Sequence, residues 1–324
     1  MTVLFGFPGA GAGKNVFEIW QTSLGSEIVF HEVLYSGRMF QPGCKDMKEA
    51  AERCAQQVRG AVREDDDIYF FGHCMGAAVA YETAKYLQVH CDMHIRGLFI
   101  SAFISPDVPI EDGISHWDDQ EFAEEIRSHG TFPEEFFVKP ELLKLFLPRI
   151  RADYRMIEEY CDREHVVLDC PFAGFFGKDD PSVTEAGIIG WKNYTTRGFL
   201  KFMFPGKHYF YYDHQEEIIA KIRELIEVFR REETGRKEKE EMEKLIKKVL
   251  AETMELDPEH TVWNSDTDIV NEIGVDSLQL VRFLLKMEEE LNITIDYDAL
   301  TFEDLQTIGS LAAFLSRCTG SQQK

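Results

Sequence analysis

The sequence predicts an α/β domain, a parallel sheet with helices on both faces, followed by a small all-α helix bundle. Three observations lead there. Short β-branched and aromatic runs alternate with helical patterns over residues 1–230. Several of those runs are apolar throughout, as strands covered on both faces are. Residues 241–324 carry only helical periodicity.

The candidate strands are residues 2–7 (TVLFGF), 27–35 (EIVFHEVLY), 67–72 (DIYFFG), 96–103 (RGLFISAF), 171–177 (PFAGFFG) and 200–204 (LKFMF). Helical patterns cover 47–62 and 77–89 between them. Residues 113–160 break the alternation and read as helices without a strand. Such an insertion between two strands forms a lid or substrate channel, or adds plain packing. Its aromatics Trp117, Phe132, Phe136 and Phe137 either line an apolar channel or fill a core. The sheet domain closes on a helix in which Ile218, Ile219, Ile222, Leu225, Ile226 and Phe229 recur at helical spacing. Residues 231–240 (REETGRKEKE) hold no apolar side chain, and Gly235 is placed to cap a helix. A charged linker and domain boundary are expected there, with a solvated bridging helix as the alternative. The linker spans ~33 Å if extended and ~15 Å if helical. Residues 241–318 then read as helix 242–254, a long loop, helix 277–291, a short helical turn and helix 308–317, leaving 319–324 as a tail.

Charge narrows the function classes. The 324 residues include 35 basic and 58 acidic side chains, a net charge of −23. Residues 241–324 alone carry 7 basic and 17 acidic ones. A surface this negative repels phosphate backbones and anionic lipid, so neither nucleic-acid nor membrane-surface binding is expected. The seven cysteines are irregularly spaced and form no CxxC, which argues against a disulfide framework or a zinc site and for the reducing cytoplasm. The first apolar run has no basic segment before it, so no secretory signal is expected. No apolar stretch approaches the ~18 residues of a membrane helix.

The sharpest motif is Gly72-His73-Cys74-Met75-Gly76, between the run DIYFF and the helical pattern AAVAYETAKYL. It is the G-x-S-x-G nucleophile elbow of α/β-hydrolase sheets, with cysteine in the serine position. The nucleophile stands on a sharp strand-to-helix turn, where flanking side chains collide with the neighbouring elements; glycine at 72 and 76 removes them. A helix N-terminus behind Cys74 lowers a thiol pKa. A buried, inert cysteine at a tight turn is the plainer alternative.

A cysteine nucleophile needs a base, and the base an orienting acid. In this fold the chain order is nucleophile, acid, histidine. Lys178-Asp179-Asp180-Pro181 and Lys207-His208-Tyr209 each follow a candidate strand, where α/β sheets place their chemistry. His208 is the expected base and Asp180 the expected acid, with Asp179 second. His73 is too close in sequence to face Cys74 as a base. His214 starts the terminal helix as a capping or surface residue. The loop Pro8-Gly9-Ala10-Gly11-Ala12-Gly13 superficially resembles a phosphate loop, but Pro8 and Asn15 break the GxxxxGK[ST] pattern. It reads better as one half of an oxyanion hole, with the backbone amides of Ala10 and Met75 as donors, or else as a plain glycine-rich turn.

Gly274-Val275-Asp276-Ser277-Leu278 lies at a predicted helix start, where Asp276 or Ser277 could simply be the N-cap. With the later run DYDALTFEDLQTIGSLAAFL it makes residues 241–318 resemble an acyl or peptidyl carrier protein. That resemblance implies a 4'-phosphopantetheine arm on Ser277, attached by a phosphopantetheinyl transferase. Residues 1–230 resemble the type II thioesterases of nonribosomal peptide and polyketide assembly lines. The matching pieces are LFGFPGAGAG, GHCMGA, LPRIRADYRMIEEY, GKDDP and PGKHYF. The departures are Cys74, where the family usually has serine, and Gly9, where it often has histidine.

The resemblance implies hydrolysis of acyl groups from carrier-bound phosphopantetheine. Cysteine alters that chemistry. The acyl-enzyme becomes a thioester, close in energy to the incoming one, so transfer onto and off the enzyme is more nearly reversible. An acyltransferase handing acyl groups to another carrier thiol or an amine is therefore the rival, and a non-catalytic carrier-docking module is a third reading. The carrier partner is the chain's own domain in cis or another in trans. A flexible tether would hold the two at millimolar effective concentration.

Overall fold

The computed structural model describes residues 1–11, 16–35, 43–111, 113–128, 132, 134–257 and 260–322, with side chains through residue 319. Six strands form one parallel sheet: β1 (Thr2–Phe7), β2 (Ile28–Glu32), β3 (Asp67–His73), β4 (Gly97–Ser101), β5 (Phe172–Gly177) and β6 (Phe199–Phe204). Their order is β2-β1-β3-β4-β5-β6, with Thr2 paired to Ile28 on one side and Asp67 on the other. The α/β fold is as expected, and each candidate strand is present: three are trimmed at the ends, β1 keeps its bounds, and β3 and β6 each run one residue further. The longest, 27–35, stops at Glu32.

Strand periodicity explains the two-faced core. Val3, Phe5 and Phe7 of β1, with Ile68 and Phe70 of β3, pack with the helices α2 (Met47–Ala61) and α3 (Met75–Cys91). Leu4, Tyr69 and Phe71 point the other way. They meet Trp20 and Leu24 of the short helix α1 (Trp20–Leu24) and Ile218, Ile222 and Phe229 of the terminal helix. Each buried phenylalanine contributes about 1.5–3 kcal/mol of apolar burial. The edge strand β6 is the exception to the apolar rule: Leu200 is 43% and Met203 57% exposed, and Lys201 marks it as an edge.

Between β4 and β5 lie the helices Asp119–Ser128, Glu134–Val138 and Pro140–Glu158, all inside the predicted insertion. They have a core of their own, built from Phe122, Ile126, Phe136, Leu147 and Ile150 with Phe132 and Phe137 packed on it. Phe132, Phe136 and Phe137 therefore serve packing, while Trp117 is 37% exposed. Parts of this insertion, 129–131 and 133, lie outside the described residues, as do Ala12 and Gly13 of the glycine-rich loop.

The chain divides into two compact units, Met1–Phe229 and Arg230–Lys324. The expected break in helix at 231–240 is absent. One helix runs Gln215–Thr253, and Gly235 caps nothing. The charged run is the bridging-helix alternative, with Arg236 paired to both Glu233 and Glu240 and Lys239 to Glu243. Such i,i+3 and i,i+4 pairs each support an exposed helix by a few tenths of a kcal/mol, roughly offsetting one glycine. The second unit buries Ile246, Val249 and Leu250 against helices Ser277–Leu291 and Ile308–Gln322 through Phe283, Met287, Leu311 and Leu315. The last helix continues to Gln322, so the expected tail is a helix end through that residue.

Candidate active site

Cys74 sits between β3 and α3 at φ 54°, ψ −127°, a strained backbone for a residue with a side chain. The turn is held by Cys74 N–H donating to the Ser101 carbonyl at 2.8 Å and Ala77 N–H to the Cys74 carbonyl at 2.9 Å. It needs its glycines. A Cβ on Gly72 would overlap the Gly76 carbonyl, and one on Gly76 would overlap the Phe7 carbonyl and lie 2.6 Å from that of Pro8. The sharp turn leaves the thiol half-buried at the C-terminal end of the sheet.

The loops after β5 and β6 bring the other two groups. They lean on each other: Lys178 N–H donates to the Phe204 carbonyl at 2.8 Å and Asp179 N–H to that of Gly206 at 2.9 Å. His208 Nδ1 lies 2.8 Å from Asp180 Oδ2. Asp180 is buried and its other oxygen accepts from the Ser182 and Val183 amides at 2.8 and 3.2 Å. Asp179, the second candidate, is exposed. With Nδ1 turned to Asp180, the ring presents Nε2 to the Cys74 sulfur, to which it is hydrogen-bonded.

This geometry favours a thiolate–imidazolium pair. Burial opposes ionisation of the Cys74 thiol, but the His208 charge, its hydrogen bond and the Met75 amide together bring the pKa below the ordinary thiol value. Burial likewise opposes His208 protonation, yet the Cys74 charge and the bond to Asp180 push it up to about 10. Cysteines without an imidazole partner show burial as the dominant influence: Cys54 and Cys170 are raised well above their usual range.

The two expected oxyanion donors lie in segments next to Cys74: Met75 follows it in the chain, and the loop after β1 carries Ala10 close by. The Met75 amide is hydrogen-bonded to the Cys74 sulfur. Ala10 is half-buried in the loop after β1, where a Cβ on neighbouring Gly9 would sit 3.5 Å from the Cys74 Cβ.

Sequence reasoning missed two neighbours. Asp153 and Tyr154, on the helix Pro140–Glu158, reach the site from the insertion: Asp153 accepts from the Gly11 amide at 2.9 Å, and Tyr154 is hydrogen-bonded to Tyr209. Both lie in the run LPRIRADYRMIEEY, where only pattern matching could have flagged them. His73, set aside as a base, is buried with Nδ1 2.9 Å from Ser101 Oγ and its ring centroid 5.9 Å from that of His208. Burial and then the His208 charge depress its pKa, so it stays neutral.

In the second unit, Asp276 is the N-cap of the helix Ser277–Leu291, accepting from the Leu278 and Gln279 amides at 2.8 Å while Gln279 returns a capping-box bond. The alternative cap role for Ser277 is thus taken by its neighbour. Ser277 is exposed at the first helical position, a placement that fits a covalent phosphopantetheine attachment. Among the described residues no cluster of His, Cys, Asp or Glu could hold a metal ion, and no helix is long and apolar enough to cross a membrane.

Comparison with known proteins gives the same division. Residues 2–226 match the thioesterase domain family and residues 244–315 the phosphopantetheine attachment site family. Linear gramicidin dehydrogenase LgrE of Brevibacillus parabrevis is 30% identical over 234 residues, covering 70% of this chain and 88% of that protein. Thioesterase PikA5 of Streptomyces venezuelae is 30% identical over 226 residues, covering 69% of this chain and 80% of that one. The crystal structure of ClbQ from the colibactin NRPS/PKS pathway superposes with a TM-score of 0.66 at 29% identity, covering 71% of this chain and 98% of that one. The chain belongs to the thioesterase family, on an α/β-hydrolase fold, and carries a C-terminal domain for covalently attached 4'-phosphopantetheine.

Proposed function

We propose that the chain hydrolyses acyl thioesters from carrier-bound phosphopantetheine in an assembly line of nonribosomal peptide or polyketide type. The hydrogen-bonded series Cys74, His208 and Asp180 carries this reading. The Cys74 thiolate attacks the thioester carbonyl, and the developing oxyanion meets the Ala10 and Met75 amides. His208, as imidazolium, gives its Nε2 proton to the departing carrier thiol. The neutral ring then takes a proton from water as that water attacks the acyl-Cys74 thioester, and returns it to the Cys74 sulfur as the acid leaves. Asp180 holds the ring's tautomer and orientation throughout.

Ser277 is the proposed attachment point, loaded by a phosphopantetheinyl transferase; the arm supplies a thiol on which acyl groups are carried. The acyl donor is the chain's own carrier domain or a separate one. One observation favours a second reading, transfer to another thiol or an amine: a cysteine nucleophile conserves thioester energy in the acyl-enzyme. The test is to incubate an acyl-labelled carrier and an unlabelled holo carrier with the holo protein. Release of free acid supports hydrolysis, and label reaching the second carrier faster than it reaches free acid supports transfer. Full turnover by Cys74→Ala would sink both.

A further inference from the structure

The run LPRIRADYRMIEEY is the part of the sequence that the proposed chemistry leaves unused, and its helix, Pro140–Glu158, grips in two directions. Toward the insertion, the Arg151 guanidinium donates to the Ser115 and Trp117 carbonyls at 2.6 Å and lies 4.2 Å from the Phe122 ring centroid. Glu158 accepts from the Ile114 and Ser115 amides at 2.7 and 3.0 Å. Toward the sheet, Asp153, only 8% exposed, accepts the Gly11 N–H at 2.9 Å across 142 residues of chain.

That last bond falls beside the proposed oxyanion donor. Three consecutive peptide planes matter. The Pro8–Gly9 plane is held because the Tyr35 hydroxyl donates to the Pro8 carbonyl. Burial, and then the Asp153 carboxylate, push the Tyr35 phenol up, so it keeps the proton it donates. The Ala10–Gly11 plane is held because Gly11 N–H donates to Asp153. The plane between them carries the Ala10 N–H. With both flanking planes anchored, the Cα atoms that carry this N–H are fixed in place, so the stretch of loop that presents it stays beside Cys74, where a Cβ on Gly9 would sit 3.5 Å from the Cys74 Cβ. Gly11 is at φ +65°, and a Cβ there would press on Ile150 and Phe132 at 3.1 Å, so the loop is seated on the same helix.

We propose that Asp153 is a positioning residue for the thioesterase reaction, holding the Ala10 amide in the oxyanion hole and tying that hole to the helical insertion. The proposal rests on Cys74 as nucleophile and Ala10 as oxyanion donor. A donor that points correctly before the reaction costs nothing to reorganise in the transition state, and removing one such donor costs about 10²–10³ in kcat.

The test uses the full-length chain, a short acyl-pantetheine thioester and iodoacetamide. Asp153→Ala lowers kcat by about 10²-fold and changes KM by less than about threefold. Its Cys74 alkylation rate stays within about twofold of wild type, because thiolate formation does not use the oxyanion hole. Asp153→Asn keeps kcat within about tenfold, since its side-chain oxygen still accepts the Gly11 N–H. Asp153→Ala within about threefold of wild type in kcat, or Asn and Ala impaired alike, overturns the proposal. Should the alanine variant not fold, amide exchange in the wild-type chain decides: a Gly11 proton exchanging at the free-peptide rate overturns the clamp, and protection by about 10²-fold or more supports it. Undiminished turnover by Cys74→Ala refutes the nucleophile assignment instead, a separate outcome.

Discussion

Replacing His208 by leucine isolates what the imidazole does for Cys74. Leucine keeps a comparable volume but has neither charge nor donor. Two of the influences that bring the Cys74 thiol below its ordinary value of 9.0 come from His208; without them, burial and the Asp180 carboxylate both push it up. Half-buried Cys44 shows the scale in the same protein, raised to about 11. A thiol at about 11 is ionised in about 10⁻⁴ of molecules at pH 7, one below 9 in more than about 10⁻². The higher-pKa thiolate is intrinsically about tenfold more nucleophilic over two units. The net expectation is at least about tenfold slower alkylation of Cys74 at pH 7. The assay is peptide mass spectrometry of iodoacetamide-treated protein across pH. In wild type the rate climbs through a midpoint below 9, and thioesterase activity, which also needs the His208 proton, falls as pH passes about 10. In His208→Leu the alkylation midpoint moves up by about two units or more. A shift of less than about one unit would refute the ion-pair reasoning.

Asp180→Asn is expected to lower kcat by about 10²–10⁴, the usual reach of an acid–base system, whereas exposed Asp179→Asn stays within about twofold; steady-state kinetics on the same acyl-pantetheine separate them. Gly76→Ala forces a methyl group into the Phe7 and Pro8 carbonyls. It should destabilise the sheet domain by at least about 1–3 kcal/mol, read as a lower urea midpoint of that unit's transition. Ser277→Ala should abolish the phosphopantetheine mass gained with coenzyme A and a phosphopantetheinyl transferase, and leave Cys74 alkylation unchanged.

The sequence by itself carried whatever depends on short-range physics. Strands covered on both faces are apolar throughout, so β1, β3, β4 and β5 were readable as runs. A turn that admits no Cβ must have glycine, so Gly72 and Gly76 marked Cys74. Chain order then nominated His208, and the Asp-Ser pair at 276–277 announced a helix start. Choices between near-equivalent neighbours were decided by tertiary structure. Asp179 and Asp180 are chemically alike, and only the burial of one beside the ring separates them. Residues 231–240 have the composition of a linker, but ion pairs along the surface of the helix offset the glycine inside it. Asp153 and Tyr154 look like surface residues of an amphipathic helix until the fold carries that helix over the loop after β1 and the one after β6. Local periodicity encodes which face of an element is apolar; the polar atom that meets another across 142 residues is set by how the packed elements converge.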